Sequence, residues 1–218
     1  MPPDPVILGF DTSAAHCAAD VLSSGRILVS RHEPMDRGQA ERLMPLLEEV
    51  LREAGLVWGD LDALAVGVGP GNFTGVRISV SAARGLALGL DRPAIGVSSF
   101  EALAHGQPDP VLVSLDARRD QVMVARPEDP MAARVASLAD LAGDMPGDWA
   151  GLPVLGHQAA EIAALTTGPA RAPAHSLAEG IARVAAGRLG PDLPRPAPLY
   201  LRPADAAPPA DPPPVILP

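Results

Sequence analysis

The sequence predicts an α/β fold: a mixed sheet with helices on its faces, followed by a second copy in reduced form. Three observations carry that prediction. The first half runs β-β-β-α-β-α-β-α, a meander followed by crossovers, and right-handed crossovers return parallel strands to one sheet. A glycine-centred stretch at 66–77 makes a strand–turn–helix joint. Residues 111–116 repeat the pattern of residues 6–11, an apolar strand ending in aspartate, as an internal duplication would.

Val6-Ile7-Leu8-Gly9-Phe10 is an apolar run suited to a buried strand, and Asp11-Thr12-Ser13 closes it. Residues 18–22 and 27–33 read as two more strands across a turn at Ser23-Ser24-Gly25. A helix is expected over 38–54, with Gly55 as its C-cap residue. The strand at 62–69 leads into the helix at 74–90, and a strand at 94–97 follows. Ser98 or Ser99 caps a short helix reaching His105. In the second half, strands are expected at 111–116, 121–125 and 154–156, and helices at 158–165 and 177–189. Residues 126–152 carry several Pro and Gly and only a weak helical pattern. The expected organisation is a first lobe over 1–108, a reduced second lobe over 109–202 and a Pro/Ala-rich flexible tail over 203–218.

Hydrophobic residues make up 47% of the chain but aromatics only 3%, so Ala, Val and Leu must fill the core. No apolar run reaches the roughly 18 residues that would span a membrane. Met1-Pro2-Pro3-Asp4-Pro5 lacks the basic and apolar parts of a signal peptide. Cys17 is the single cysteine, which excludes an internal disulfide and suits a reducing compartment. A cytoplasmic location is therefore expected. The net charge is −9, and no Lys/Arg cluster occurs beyond Arg118-Arg119. Nucleic-acid binders draw most of their affinity from neutralised phosphates, so this chain is poorly suited to hold RNA alone.

At the joint, Gly69, Pro70 and Gly71 allow a tight turn where backbone N–H groups meet the positive end of a helix. That arrangement suits an anion, and a plain strand–turn–helix connection would use the same glycines. A Walker loop is excluded because no lysine is near, and the dinucleotide fingerprint lacks its third glycine at Asn72 or Thr74. Asp11 and Asp116 both end apolar strands, where a carboxylate holds hydrated Mg²⁺ or caps a turn; the cap is favoured. Such paired aspartates resemble those of the sugar-kinase, Hsp70 and actin ATPases. No two of His16, His32, His105, His157 and His175 sit at metal-binding spacing. His16 and Cys17 point to opposite faces of a strand, and Ser13 and Thr74 lack an identifiable base. No catalytic set is complete.

Two helices carry more apolar surface than one sheet face needs. In 40–54, residues Leu43, Met44, Leu46, Leu47, Val50 and Leu51 cover an arc wider than the usual ~100° stripe. In 74–90 hardly any polar side remains, and Gly75, Ser79, Ser81, Ala82 and Gly85 would let another helix approach closely. The surplus is covered either by the chain's own second lobe or by another molecule, and the intermolecular interface is favoured.

These motifs resemble the TsaB (YeaZ) family. Asp11-Thr12-Ser13, Glu41-Arg42-Leu43-Met44-Pro45, the run from Gly69-Pro70-Gly71-Asn72-Phe73-Thr74-Gly75 to Val76-Arg77-Ile78, Gly85-Leu86-Ala87-Leu88-Gly89, Ile95-Gly96-Val97-Ser98-Ser99 and Asp116-Ala117-Arg118 carry the match. It is dense over 6–125, and Pro198-Leu199-Tyr200-Leu201-Arg202 is similar to the family's closing segment. The family commonly has Ser at Asn72 and His at Gln39. That His echoes a metal ligand of the catalytic paralogue TsaD, so Gln39 weakens any metal reading further.

The resemblance implies the ASKHA fold of actin, Hsp70 and sugar kinases: two ribonuclease H-like lobes with mixed sheets, the second lobe reduced. It implies a non-catalytic scaffold subunit that pairs with TsaD through the first two helices and is joined by the ATPase TsaE. TsaD then transfers threonylcarbamoyl to the N6 amine of the adenosine following the anticodon of tRNA. The partner interface would comprise Glu41, Leu43, Leu47, Val50, Leu51, Phe73, Thr74, Arg77, Ile78 and Ser81, with Arg77 and Glu41 placed to pair across the bundle. Asp11, Thr12, Ser13, Gly69, Gly71 and Asn72 would form a phosphate-binding loop if one exists. No metal or cofactor is expected on the chain alone, ATP and Mg²⁺ being handled by the complex, and tRNA is met only through it. Alone, the chain could form a homodimer through the same helices. Two enzyme readings compete. One is a nucleotide-dependent phosphotransferase using Asp11, Asp116 and loop 69–75, without a recognisable adenosine-binding segment; the other is a peptidase with only Ser13 or His16.

Overall fold

The computed structural model describes residues 4–108 and 110–201, so the tail expected at 203–218 lies outside the described residues. Two five-stranded mixed sheets organise the chain. The first contains β1 (Ile7–Asp11), β2 (His16–Ser23), β3 (Arg26–Pro34), β4 (Ala63–Gly67) and β5 (Ala94–Val97), in the order β3-β2-β1-β4-β5. β1 to β3 form the antiparallel meander, and β4 and β5 add in parallel on the free side of β1. The second contains β6 (Leu112–Asp116), β7 (Gln121–Ala125), β8 (Arg134–Ser137), β9 (Val154–Gly156) and β10 (Ala170–Arg171), in the order β10-β9-β6-β7-β8. Viewed from its other edge, this is the same order with the same pairing sense. The duplication first seen in two strands thus extends to all ten.

Alternation along the strands sorts side chains to two faces. Leu8, Phe10, Leu64 and Val66 point to one core, covered by α1 (Gln39–Glu53) and α2 (Phe73–Leu90). Ile7, Ala63, Ala65 and Ile95 point to the other, covered by α6 (Leu177–Arg188) beside α3 (Ser99–Ala104). The second sheet packs Leu112, Val122 and Val124 against α4 (Leu138–Gly143) and α5 (Ala159–Thr166). Its other face packs Val113 and Leu155 against Phe100 of α3. Helix α6 falls within 109–202 by chain order but lies on the first sheet, so packing and sequence divide the chain at different places.

Side-chain caps fix the helix starts. Ser98 and Glu101 form a capping box at α3. Ser176 accepts from the Glu179 N–H at α6 and donates to Asp20 Oδ2 at 2.9 Å, pinning that helix to β2. The strand expected at 62–69 is shorter because Val68 leaves the ladder to start the glycine loop, although its N–H still reaches the Val97 carbonyl. The stretch 126–152, expected to hold only weak helix, supplies β8 and α4.

Candidate functional site

The end of β1 is built around the buried carboxylate of Asp11. Its Oδ1 accepts from the Ser13 N–H and the Ser13 hydroxyl, each at 2.8 Å, and lies 2.8 Å from His16 Nε2. Asp11 is thus a turn cap, as the sequence favoured. Its Oδ2 is buried without a partner, and a Cβ on Gly67 would sit 1.9 Å from it, so only glycine fits there. Ser13 and His16 both bond Asp11 rather than one another, so the nucleophile–base pair of a peptidase is not assembled. Cys17 is fully buried, and burial, with a smaller contribution from Glu33, pushes its thiol up to about 11. It stays protonated near neutrality and is a poor nucleophile.

The loop leading into α2 presses against this turn. A Cβ on Gly75 would lie 2.0 Å from the Thr12 carbonyl oxygen, and one on Gly71 would lie 2.3 Å from that of Ser13. The Thr12 hydroxyl donates to the Gly75 carbonyl at 2.7 Å, and Gly69 accepts from the Ser99 N–H at 2.8 Å. Three of the N–H groups expected to meet an anion are spent internally. Asn72 Oδ1 accepts from the N–H groups of Thr74 (3.0 Å) and Gly75 (3.3 Å), while the Asn72 N–H donates to the Ser13 carbonyl at 2.6 Å. The glycines therefore serve close backbone approach, and a phosphate at the start of α2 would have to displace the Asn72 cap. Part of the loop offered to a phosphate by the sequence is thus occupied by the chain itself.

A cleft of about 540 Å³ separates the two strand-end turns, with Ser13, Asn72, Asp116, Arg118 and Tyr200 among its lining. Asp116 repeats the cap of Asp11, accepting from the Arg118 N–H at 2.8 Å, but it is exposed. The closing segment crosses the cleft. Leu199 donates to the Val68 carbonyl at 2.8 Å, and the Tyr200 hydroxyl accepts from Arg77 Nε at 2.9 Å. The Arg77 guanidinium lies 3.8 Å from the centre of the Phe73 ring, which is 5.0 Å from that of Tyr200. Among the described residues Arg77 forms no ion pair with Glu41; it is held by this aromatic clasp.

The expected partner face divides in two. Leu43, Leu47, Val50 and Leu51 are at most 2% exposed and pack in the chain's own core. They are not surface residues, which corrects their assignment to an interface. From α1, Glu41 and Met44 remain exposed. On α2, Thr74, Arg77 and Ser81 are exposed and Phe73 and Ile78 half-buried. The same face continues through Arg84 and Gly85 to Leu88, which is 86% exposed. Leu88 and Tyr200 both lie in motifs that carry the family resemblance, but neither was assigned to the site from sequence.

Among the described residues no group of three or more His, Cys, Asp and Glu gathers to hold a metal. His16 stacks on His32 (4.9 Å) and His105 on His175 (5.3 Å). Burial, then the neighbouring imidazole, lowers the pKa of His32 and of His105. Among the described residues no helix is long and apolar enough to cross a membrane.

The family model for TsaD, tRNA N6-adenosine threonylcarbamoyltransferase, matches residues 33–180. The tRNA threonylcarbamoyladenosine biosynthesis proteins TsaB of Haemophilus influenzae and Escherichia coli are each 37% identical over 121 residues. Those matches cover 53% of this chain, and the chain spans about half the length of either relative (51% and 52%). An uncharacterized protein of Mycobacterium tuberculosis H37Rv is 36% identical over 206 residues, 93% of this chain and 94% of that one. The structure of YeaZ from Pseudomonas aeruginosa superimposes with a TM-score of 0.64 at 29% identity, covering 90% of this chain and all of that one. EutJ from Carboxydothermus hydrogenoformans, at 14% identity and a TM-score of 0.51 over 84% of this chain and 90% of that one, shares the fold alone.

Proposed function

The chain belongs to the TsaB/YeaZ family of ASKHA-like proteins, and on that premise we propose that it is a non-catalytic subunit for tRNA threonylcarbamoyladenosine synthesis. In this reading it works in the cytoplasm and pairs with TsaD, TsaE joining the pair. TsaD carries the transfer to the N6 amine of the adenosine 3′ of the anticodon. The carrying observation is the outer face of α2, where Ser81, Gly85 and the 86%-exposed Leu88 form an apolar, small-residue strip. Small residues let a second helix approach closely, and an exposed leucine gains about 1.5–3 kcal/mol when fully covered. Glu41 and Met44 of α1 are exposed as well.

What this chain's residues do follows from their placement. Asp11, Ser13 and His16 hold the β1 turn, and Thr12 and Gly75 lock α2 to it. The α2 face is thereby presented as a rigid surface. No cofactor is assigned to the chain alone; ATP and Mg²⁺ belong to the complex. The net charge of −9 leaves tRNA to be held through TsaD.

Size-exclusion chromatography with light scattering, with and without the organism's TsaD, tests the reading. A heterodimer lost in Leu88→Glu and Ser81→Arg variants, each still folded by circular dichroism, is the expected result. No association of the unmodified chain with TsaD would overturn it. A homodimer of the free chain that TsaD dissolves would place both contacts on the same helices. ATP hydrolysis by the isolated chain, lost in Asp116→Ala, would favour the phosphotransferase instead.

A further inference from the structure

The cleft between the two strand-end turns, about 540 Å³, falls within the roughly 300–1,000 Å³ that small-molecule sites occupy. Its walls are largely apolar, with Leu115, Met123, Leu177, Leu199 and Leu201 among them. Two opposite charges stand in that setting, Asp116 and Arg118, and both are exposed. Among the described residues neither belongs to an ion pair, with the other or with any third group. They leave one turn together, Asp116 Oδ1 accepting from the Arg118 N–H at 2.8 Å. Arg118, Arg119 and Asp120 all take positive φ (62°, 52° and 56°), a backbone that non-glycine residues seldom adopt and that collects at binding sites. Ser99, also in the lining, is 2% exposed, and its Oγ has no hydrogen-bond partner among the described residues.

We propose that this cleft binds an α-amino acid with an apolar side chain. Such a ligand bears its ammonium and its carboxylate on one carbon, so both reach charges presented by a single turn. Asp116 takes the ammonium, Arg118 takes the carboxylate, and the aliphatic walls take the side chain. A peptide fits less well, because the chain between its ends separates the two charges. A phosphate also fits less well. The Asn72 side chain already takes the Thr74 and Gly75 N–H groups, and Asp116 repels an anion. The inference does not rest on the family reading, and the lining contains none of Ser81, Gly85 and Leu88.

The test titrates the full chain, without TsaD, with L-leucine, L-methionine and L-phenylalanine, read by calorimetry and by backbone amide shifts in NMR. At least one is expected to bind saturably and to move the amides of Ala15, Asn72, Ala117 and Leu199. The matching analogue without the amine, and the one without the carboxylate, should each bind about tenfold more weakly or worse. Asp116→Asn keeps an acceptor for the Arg118 N–H, and Arg118→Gln keeps that N–H, so each removes a charge while the turn stands. Each should weaken binding by about tenfold or more. Arg119→Gln, on the same turn but outside the lining, should bind as the unmodified chain does. Saturable binding of none of the three amino acids overturns the proposal. So does equal binding of the single-charge analogues, or binding that survives both Asp116→Asn and Arg118→Gln. Shifts at the same amides caused by inorganic phosphate and by no amino acid would overturn it too, making the cleft an anion site. TsaD is absent throughout, so either outcome leaves the test of the family reading separate.

Discussion

Helices α1 and α2 lie side by side on one face of the first sheet and share one core, yet they divide their apolar residues differently. α1 turns Leu43, Leu46, Leu47, Val50 and Leu51 inward, all at most 2% exposed. It adds a charged clamp, in which Arg42 donates from Nε and Nη2 to the two carboxylate oxygens of Glu33 at 2.7 Å each. α2 buries only Val76, Val80 and Ala83 there, and it is seated closely through Gly75 against Thr12 and the Ser79 hydroxyl donating to the Gly67 carbonyl at 3.2 Å, leaving Leu88 outside. Small residues need little width to seat a helix, so α2 keeps aliphatic surface in reserve. How apolar a helix is does not say where that surface goes; the position of its small residues does.

The comparison is most exposed at the leucines. Leu47→Ala should cost about 2–5 kcal/mol in urea unfolding, whereas Leu88→Ala should stay within about 0.5 kcal/mol. Equal losses would erase the distinction between the helices. The glycines come next. Gly75→Ala must push its methyl into the Thr12 carbonyl and should cost about 1–3 kcal/mol. Gly85→Ala, with nothing within 4 Å of the new Cβ, should stabilise by about 0.5–1 kcal/mol and raise the melting temperature. The smallest effect belongs to the α1 clamp. Hydrogen bonding from Arg42 holds Glu33 below the ordinary glutamate range despite opposing burial. A depressed carboxylate pKa adds stability above its unfolded value of 4.5, lost as pH falls through the folded value. Arg42→Ala should therefore lower the melting temperature near neutral pH by a margin worth about 0.2–1 kcal/mol, a margin that shrinks as pH falls below 4.5 and through the folded value.

Much of the architecture was legible because its signals are local. Apolar runs ending in aspartate marked β1 and β6, and 94–97, 121–125 and 154–156 appear as expected. β10 is two exposed residues held only by pairing with β9, and β8 is a short, half-exposed strand whose last residue, Ser137, also caps α4. Neither leaves a periodic trace. In the site, the glycines announced a tight joint, but sequence could not say which acceptors their neighbours' N–H groups would meet. Asn72 is a good cap by type, and its two bonds settle the matter only in three dimensions. Tyr200 sits 123 residues from Arg77, and although its segment resembles the family's closing one, no periodicity ties it to α2, so its part in the clasp was invisible. The wide arc on 40–54 was read as surplus because one flat sheet face was assumed to be its cover. The core around it also draws on α2, Leu61 and Val29.

The return of α6 to the first sheet sets a timetable for synthesis. Ile7, Ala65, Ile95 and Val97 share a core with Ile181, Ala182 and Ala185. A ribosome adding about 5–20 residues per second therefore leaves that face of the sheet bare for roughly 5–18 s after Val97 is made. A nascent or prematurely ended chain carries five paired strands with one greasy side open to water. The first lobe is finished last, and until then it is the part of the molecule most in need of a chaperone.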